Sequence, residues 1–370
     1  MYVLEIILGV FALLGAVDRI TGNHLKLGKE FEKGILSVGQ LALAMVGMIS
    51  IAPTIAKILI PVCAPLAELF HIDLSFIGGF IANDMGGAAI AKELSASTRW
   101  GGYNGLVVAS MMGVTICFTI PVALKTIDKK YHREVMSGIL CGIVTIPVGC
   151  ITSGLVMGYK FSELILNLMF PILVSLIICI GIVLNADLCR KVFNMIGNIV
   201  LVIVTVGLGA GIFEHITGIV LIPYMESVSV GFETVGNIAI ILAGVFPLIY
   251  VVSRLCGKPF KYVGGWMKIN NESVMGLISS LANSIPTFAL VEKMNKKGIM
   301  VNMAFAVSAS FVFGDHLAFT MAFDRNFIFG MIIGKLVAGI SSVIVAHFLY
   351  NYTEKKDLKR RQGDGYITLV

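Results

Sequence analysis

Charge is what this sequence has least of. Asp, Glu, Lys and Arg make up 14 % of its 370 residues, against about one quarter in an ordinary soluble domain. With 57 % hydrophobic residues and a mean hydropathy of +0.92, the chain has too little polar surface to fold as a water-soluble globule. It also lacks the usual signatures of metal and redox chemistry. None of its seven cysteines forms CxxC, its six histidines do not cluster, and HExxH is absent. No metal or other cofactor is expected, and the cysteines read as small buried hydrophobes. There is no basic leader before the first apolar run; Glu5 stands there instead, so that run is expected to be a retained span. The formal charge of +6 sits in loops and the tail, which points to membrane topology and away from a nucleic-acid partner. Gly207-Leu208-Gly209-Ala210-Gly211 lies inside an apolar run and lacks the strand–turn–helix context of a nucleotide loop.

Long apolar runs fill the space those absences leave. They predict an all-α, polytopic integral membrane protein of about nine spans, near residues 2–17, 35–57, 104–124, 135–155, 162–184, 193–213, 234–252, 299–321 and 327–350. Two more segments, 65–97 and 270–294, are apolar but interrupted by Gly, Pro and Asn. Each is expected to be a re-entrant hairpin, because irregular backbone at depth survives only against protein or a wet cavity.

The two halves repeat. VGQLALAMVG (38–47) matches VGNIAIILAG (235–244), and ITG follows an acid–base pair at both Ile20 and Ile216. GILCG, with Gly138 and Gly142, matches GMIIG, with Gly330 and Gly334. Equivalent loops differ in charge. Residues 18–33 hold four Lys or Arg, whereas 214–233 hold none and three Glu. By the positive-inside rule equivalent loops then lie on opposite faces, which predicts inverted repeats. The expected division is a first repeat at 1–158, a linking helix at 159–191, a second repeat at 192–352 and a basic, unstructured cytoplasmic tail at 353–370. The N-terminus is expected outside.

Two apolar, Gly- or Pro-broken tips carry the expected chemistry. They are IANDMGGAAIA from Ile81 and LANSIPTFALV from Leu281. A carboxylate such as Asp84 at membrane depth is costly, so it reads as a functional site. Asn83 and Asn283 fall at the same repeat position, with Ser284 and Thr287 beside the second. These residues suit a small solute near the midplane, or they cap the half-helices. A second polar spot is Asp315-His316, able to hold a cation and a proton, or else an interfacial pair. Lys335 lies within the last span and either snorkels, pairs with Asp84 or Asp315, or faces the cavity. No catalytic residue is assigned.

With IANDMGGAAIAKELS and GDHLAFT in one chain of this length, the sequence resembles the EutH family of ethanolamine-utilisation permeases over nearly everything before the basic tail. The resemblance implies a bacterial inner-membrane protein that admits ethanolamine for breakdown. Ethanolamine is a primary amine, mostly protonated near neutral pH like a lysine head group. Asp84 and tip carbonyls suit its ammonium; Asn83, Asn283, Ser284 or Thr287 suit its hydroxyl. Membrane lipid is the other expected partner, and a homo-oligomer is compatible with the pattern. Two other classes stay open on the residues alone. One is an ion- or proton-coupled transporter of another small polar solute. The other is an intramembrane aspartyl enzyme using Asp84 and Asp315, which the inverted repeat disfavours.

Overall fold

The computed structural model describes residues 2–80, 85–255, 262 and 264–364, and every regular element among them is helical. Six stretches are long and apolar enough to cross a bilayer: Leu27–Pro65, Thr98–Thr126, Lys129–Val156, Phe161–Thr217, Val228–Leu255 and Arg325–Lys355. The protein is an all-α polytopic membrane protein. Thr98–Thr126 is the central stretch, with 83 % of its apolar window covered by protein, whereas Phe161–Thr217 has 33 % covered and faces mainly outward.

Helix α1 is Tyr2–Ile20. Helix α2 (Leu27–Leu41) passes through a π-helical turn, Ala42–Val46, into α3 (Gly47–Phe70). The expected span 35–57 is thus the middle of a longer helix, which continues through Pro53, Pro61 and Pro65 and ends at His71 in the left-handed region (φ 52°). The first interrupted segment, expected from residue 65, therefore begins later. Its first arm is a 3-10 turn, Leu74–Ile77, capped by Asp73, and its second is α4 (Gly87–Leu94). Asn83 and Asp84, between the arms, lie outside the described residues. Helix α5 (Thr98–Gly102) widens into π-helical turns at Tyr103–Gly113 and Thr115–Thr119 before α6 (Ile120–Thr126). Then come α7 (His132–Val156), α8 (Phe161–Thr217), bent at Asn185, and α9 (Val228–Leu255). The chain ends with α10 (Asn271–Ala282), α11 (Ile285–Leu290), α12 (Lys296–Ala309), α13 (Asp315–Phe323) and α14 (Ile328–Asp364). The tail, expected to be unstructured from residue 353, instead prolongs α14 as helix through Asp364.

Glycine sets how closely these helices approach. A Cβ on Gly34 would collide with the Ala243 backbone, and one on Gly231 with Val46. Low numbers on α2 therefore meet high numbers on α9, and the two helices run antiparallel. Likewise a Cβ on Gly244 would strike the Leu8 carbonyl, and one on Gly47 the Val204 carbonyl. Lipid tails are as apolar as leucine, so such backbone approach supplies the van der Waals contact that holds helices together in a bilayer.

Polar contacts gather the loops at two ends. At one end Lys296 pairs with Glu134 at 3.8 Å, Lys297 donates to Asn351 at 2.8 Å, and Asn295 donates to the Lys268 carbonyl at 3.1 Å. At the other, Arg325 pairs with Glu5 at 2.9 Å and Arg99 donates to the Gly158 carbonyl at 2.8 Å. The loop after α1 joins the first end because α2 is antiparallel to α9. Inside the bundle Asn104 donates to Ser75 and Asn302 to the Ser273 carbonyl, each across 29 residues of chain.

A Gly34→Val variant is expected to lose about 1–3 kcal/mol of stability through overpacking against α9. Gly39→Ala, with nothing within 4 Å of the added carbon, should be neutral or slightly stabilising. Thermal unfolding of the two purified variants in one detergent checks the contrast.

Candidate functional site

Helices α10 and α11 make up the second interrupted segment, two short helices separated by a break at Asn283 and Ser284. Asn270 caps α10 by accepting from the Ser273 amide. The helix stops at Asn283, whose backbone is extended and whose Oδ1 accepts from the Ile285 amide at 2.8 Å. Pro286 lies in the first turn of α11, where a missing N–H costs nothing. The chain then folds back on itself. The Thr287 hydroxyl donates to the Gly276 carbonyl at 2.8 Å and lies 2.9 Å from the Ser280 hydroxyl.

The next segment departs from expectation. Residues 299–321 were expected to be one span, but the helix is broken. Helix α12 ends at Ala309, Phe311 takes a left-handed conformation (φ 63°), and α13 starts at Asp315. The reason lies in the neighbouring hairpin. Where α10 stops, its last carbonyls have no helical donor. The Phe311 amide donates to the Ser280 carbonyl and the Phe313 amide to the Leu281 carbonyl, both at 2.9 Å. Each break thus supplies what the other lacks. Gly314 is required at the crossing, since a Cβ there would collide with the Ala282 carbonyl.

A cavity of about 480 Å³ opens where the two breaks meet α2 and α9. Asn283, Pro286 and Asp315 come to it from the breaks, Gln40 from α2 and Tyr250 from α9. Its charged lining residues are Glu30, Lys33 and Asp315. Glu30 and Lys33 pair with each other at 3.0 Å. Among the described residues the buried Tyr250 hydroxyl has no hydrogen-bond partner. Such a wall can take a small cation and turn a hydroxyl, an amide and a carboxylate toward it.

The sequence-predicted residues divide by position. Asn283 and Asp315 reach the cavity, both half-buried. Ser284, Thr287 and His316 are fully buried. The Thr287 hydroxyl is engaged within the hairpin, and the His316 ring packs 5.1 Å from that of Phe311. Lys335 does not snorkel: it is 1 % exposed, and its ammonium donates to the Ser110 carbonyl at 2.6 Å. Gln40 and Tyr250 went unnoticed in the sequence because they sit in ordinary-looking spans. The available signal was that Gln40 is the polar position of VGQLALAMVG, matched by Asn237 in the second half. Among the described residues no three His, Cys, Asp or Glu side chains converge as metal ligands would.

Residues 2–349 match the family described as ethanolamine utilisation protein, EutH. A protein of Listeria monocytogenes serotype 1/2a (strain 10403S), named probable ethanolamine permease EutH, is 42 % identical over 354 residues, covering 95 % of each chain. One of the same name from Salmonella typhimurium is 35 % identical and covers 92 % of this chain and 93 % of its own. A Bacillus subtilis protein named uncharacterized protein YxeR is 39 % identical over 96 % of both chains. No solved structure matches the chain. A family match over nearly the whole length, with relatives similar from end to end, places this helical membrane protein in the EutH family.

Proposed function

We propose that the protein is a permease that carries ethanolamine, in its ammonium form, across the bacterial inner membrane. The observation that carries this reading is the cavity at the meeting of two broken helices, lined by the polar side chains of Gln40, Tyr250, Asn283 and Asp315. The names of the Listeria and Salmonella relatives favour the same solute. In the proposed site Asp315 faces the ammonium, while Asn283 and Tyr250 face the hydroxyl. Asn83 and Asp84 belong to the proposal on the sequence argument, as the equivalent tip of the first half. Ser284, Thr287 and His316 hold the tip behind the cavity wall. A charged amine has no useful unaided path through hydrocarbon, so a polar route between helices is what such a solute needs.

The proposed movement is of one inverted repeat against the other around this site. Antiparallel contact of α2 with α9 supports it. Extended upstream, the alignment of 38–47 with 235–244 pairs Gly34 with Gly231 and Val46 with Ala243. The contacts Gly34–Ala243 and Gly231–Val46 are therefore one contact seen from each half. The matched links Asn104–Ser75 and Asn302–Ser273 point the same way. The proposed orientation places the end that holds Lys268, Lys296 and Lys297 in the cytoplasm, following the positive-inside rule.

In vesicles holding this protein alone, uptake of labelled ethanolamine should persist at mildly acidic external pH, where the freely permeating neutral amine is scarce. Loss of uptake there would exclude the cationic form as the transported species. Asp315→Asn should raise the apparent KM about 10- to 100-fold, the worth of one charge-assisted hydrogen bond. Asp84→Asn should also lower uptake. A variant that inserts normally and transports at the parent rate removes that carboxylate from the mechanism.

A further inference from the structure

We propose that the groove between α7 and the bend of α8 binds an anionic phospholipid. The site shares no lining residue with the cavity at the helix breaks. It is an opening of about 410 Å³ with an apolar floor that includes Leu124, Met136, Leu140 and Ile182. Two guanidinium side chains, Arg133 and Arg190, stand on its walls together with His132 and the carboxylate of Asp187.

The bend of α8 makes the groove. Asn185 has non-helical backbone (φ −156°, ψ 85°), and its side chain accepts from the Leu188 amide at 2.9 Å, starting a fresh helical turn. That turn brings Arg190 round to face the start of α7. Arg133 is exposed and makes no ion pair among the described residues. Arg190 pairs with Asp187 at 3.4 Å, but the Asp187 side chain is 84 % exposed. Solvent screens an exposed pair of this kind, so it is weak. A phosphate, which a guanidinium grips with two parallel hydrogen bonds, can replace it.

The chemistry of the walls selects the occupant. Hydrocarbon alone has no use for two guanidiniums, and a free hydrated anion has no use for the apolar floor. An amphiphile with a phosphate headgroup and an acyl chain meets both. The position suits it as well. Lys125, Lys129 and Lys130 precede α7, and Lys191 follows Arg190, so the groove opens where apolar helix gives way to basic loop. Basic pockets between transmembrane helices at that depth are suited to anionic headgroups.

The test uses the full-length protein in nanodiscs of equal phosphatidylglycerol and phosphatidylcholine, extracted into mild detergent. Native mass spectrometry then counts retained lipid. The parent should retain phosphatidylglycerol over phosphatidylcholine. Arg133→Gln, at an exposed unpaired residue where misfolding is not expected, should lower that preference about fivefold, the worth of one interfacial basic residue. Arg133→Gln/Arg190→Gln should bring it to parity. A control, Lys29→Gln/Lys355→Gln, removes two positive charges outside the groove and should leave the preference intact. The proposal is overturned if the parent shows no preference, if the double arginine variant keeps it, or if the control loses it equally. Displacement of the retained lipid by inorganic phosphate alone would also overturn it, since the acyl chain would then contribute nothing.

Discussion

Two helices break at the same place, and each break satisfies the other. A backbone amide or carbonyl buried without a partner costs free energy comparable to a lost hydrogen bond, and Ser280 and Phe311 are both buried, so each interruption depends on the other. The amides of Phe311 and Phe313 close on the carbonyls of Ser280 and Leu281, and Gly314 lets the strands of backbone come close enough to do so. With the backbone settled, side chains at the break are released from helix packing. Asn283 and Asp315 can then form a cavity wall without loss of hydrogen bonding in the scaffold behind them.

The central span solves a related problem differently. Between Tyr103 and Thr119 the chain does not break but widens into π-helical turns, which redirect carbonyls away from their usual partners. The Ser110 carbonyl accepts from the buried Lys335 ammonium, and the Thr115 hydroxyl lies within hydrogen-bonding distance of the Met111 and Val307 carbonyls. Both contacts tie the most buried span of the molecule to α12 and α14. Lys335, expected to snorkel, to pair with Asp84 or Asp315 or to face the cavity, is buried and ties α14 to the central span through the Ser110 carbonyl.

Around these polar joints the helices are held by backbone contact. In a bilayer the hydrophobic effect sets insertion but not helix association. The glycines on α2, α3 and α9 are therefore structural at their points of contact, while others on the same helices, such as Gly39 and Gly236, meet nothing within 4 Å. That difference separates positions where a side chain is excluded from positions where glycine is incidental.

Much of the architecture was legible because bilayer chemistry is local. A span needs a run of apolar residues, and a hairpin needs Gly, Pro or Asn within one, so α7, α9, α10 and α11 could be read from composition. Asp315 could be picked out because a carboxylate is conspicuous inside an apolar run. The break after Ala309 could not, since Ser310-Phe311-Val312-Phe313 has no helix breaker; its cause is a pair of carbonyls on another helix. The full length of α3 was hidden by prolines that would end a helix in water, where no neighbour stabilises the kink. Gln40, Tyr250 and the destination of Lys335 were hidden for the same reason, as each depends on which helix lies opposite. What the residues determined alone was partition into the membrane, the position of most turns and the basic character of particular loops, because these follow from transfer of single segments out of water. The tertiary structure alone decided where backbone could safely be left unpaired by its own helix, and so where a polar cavity could exist.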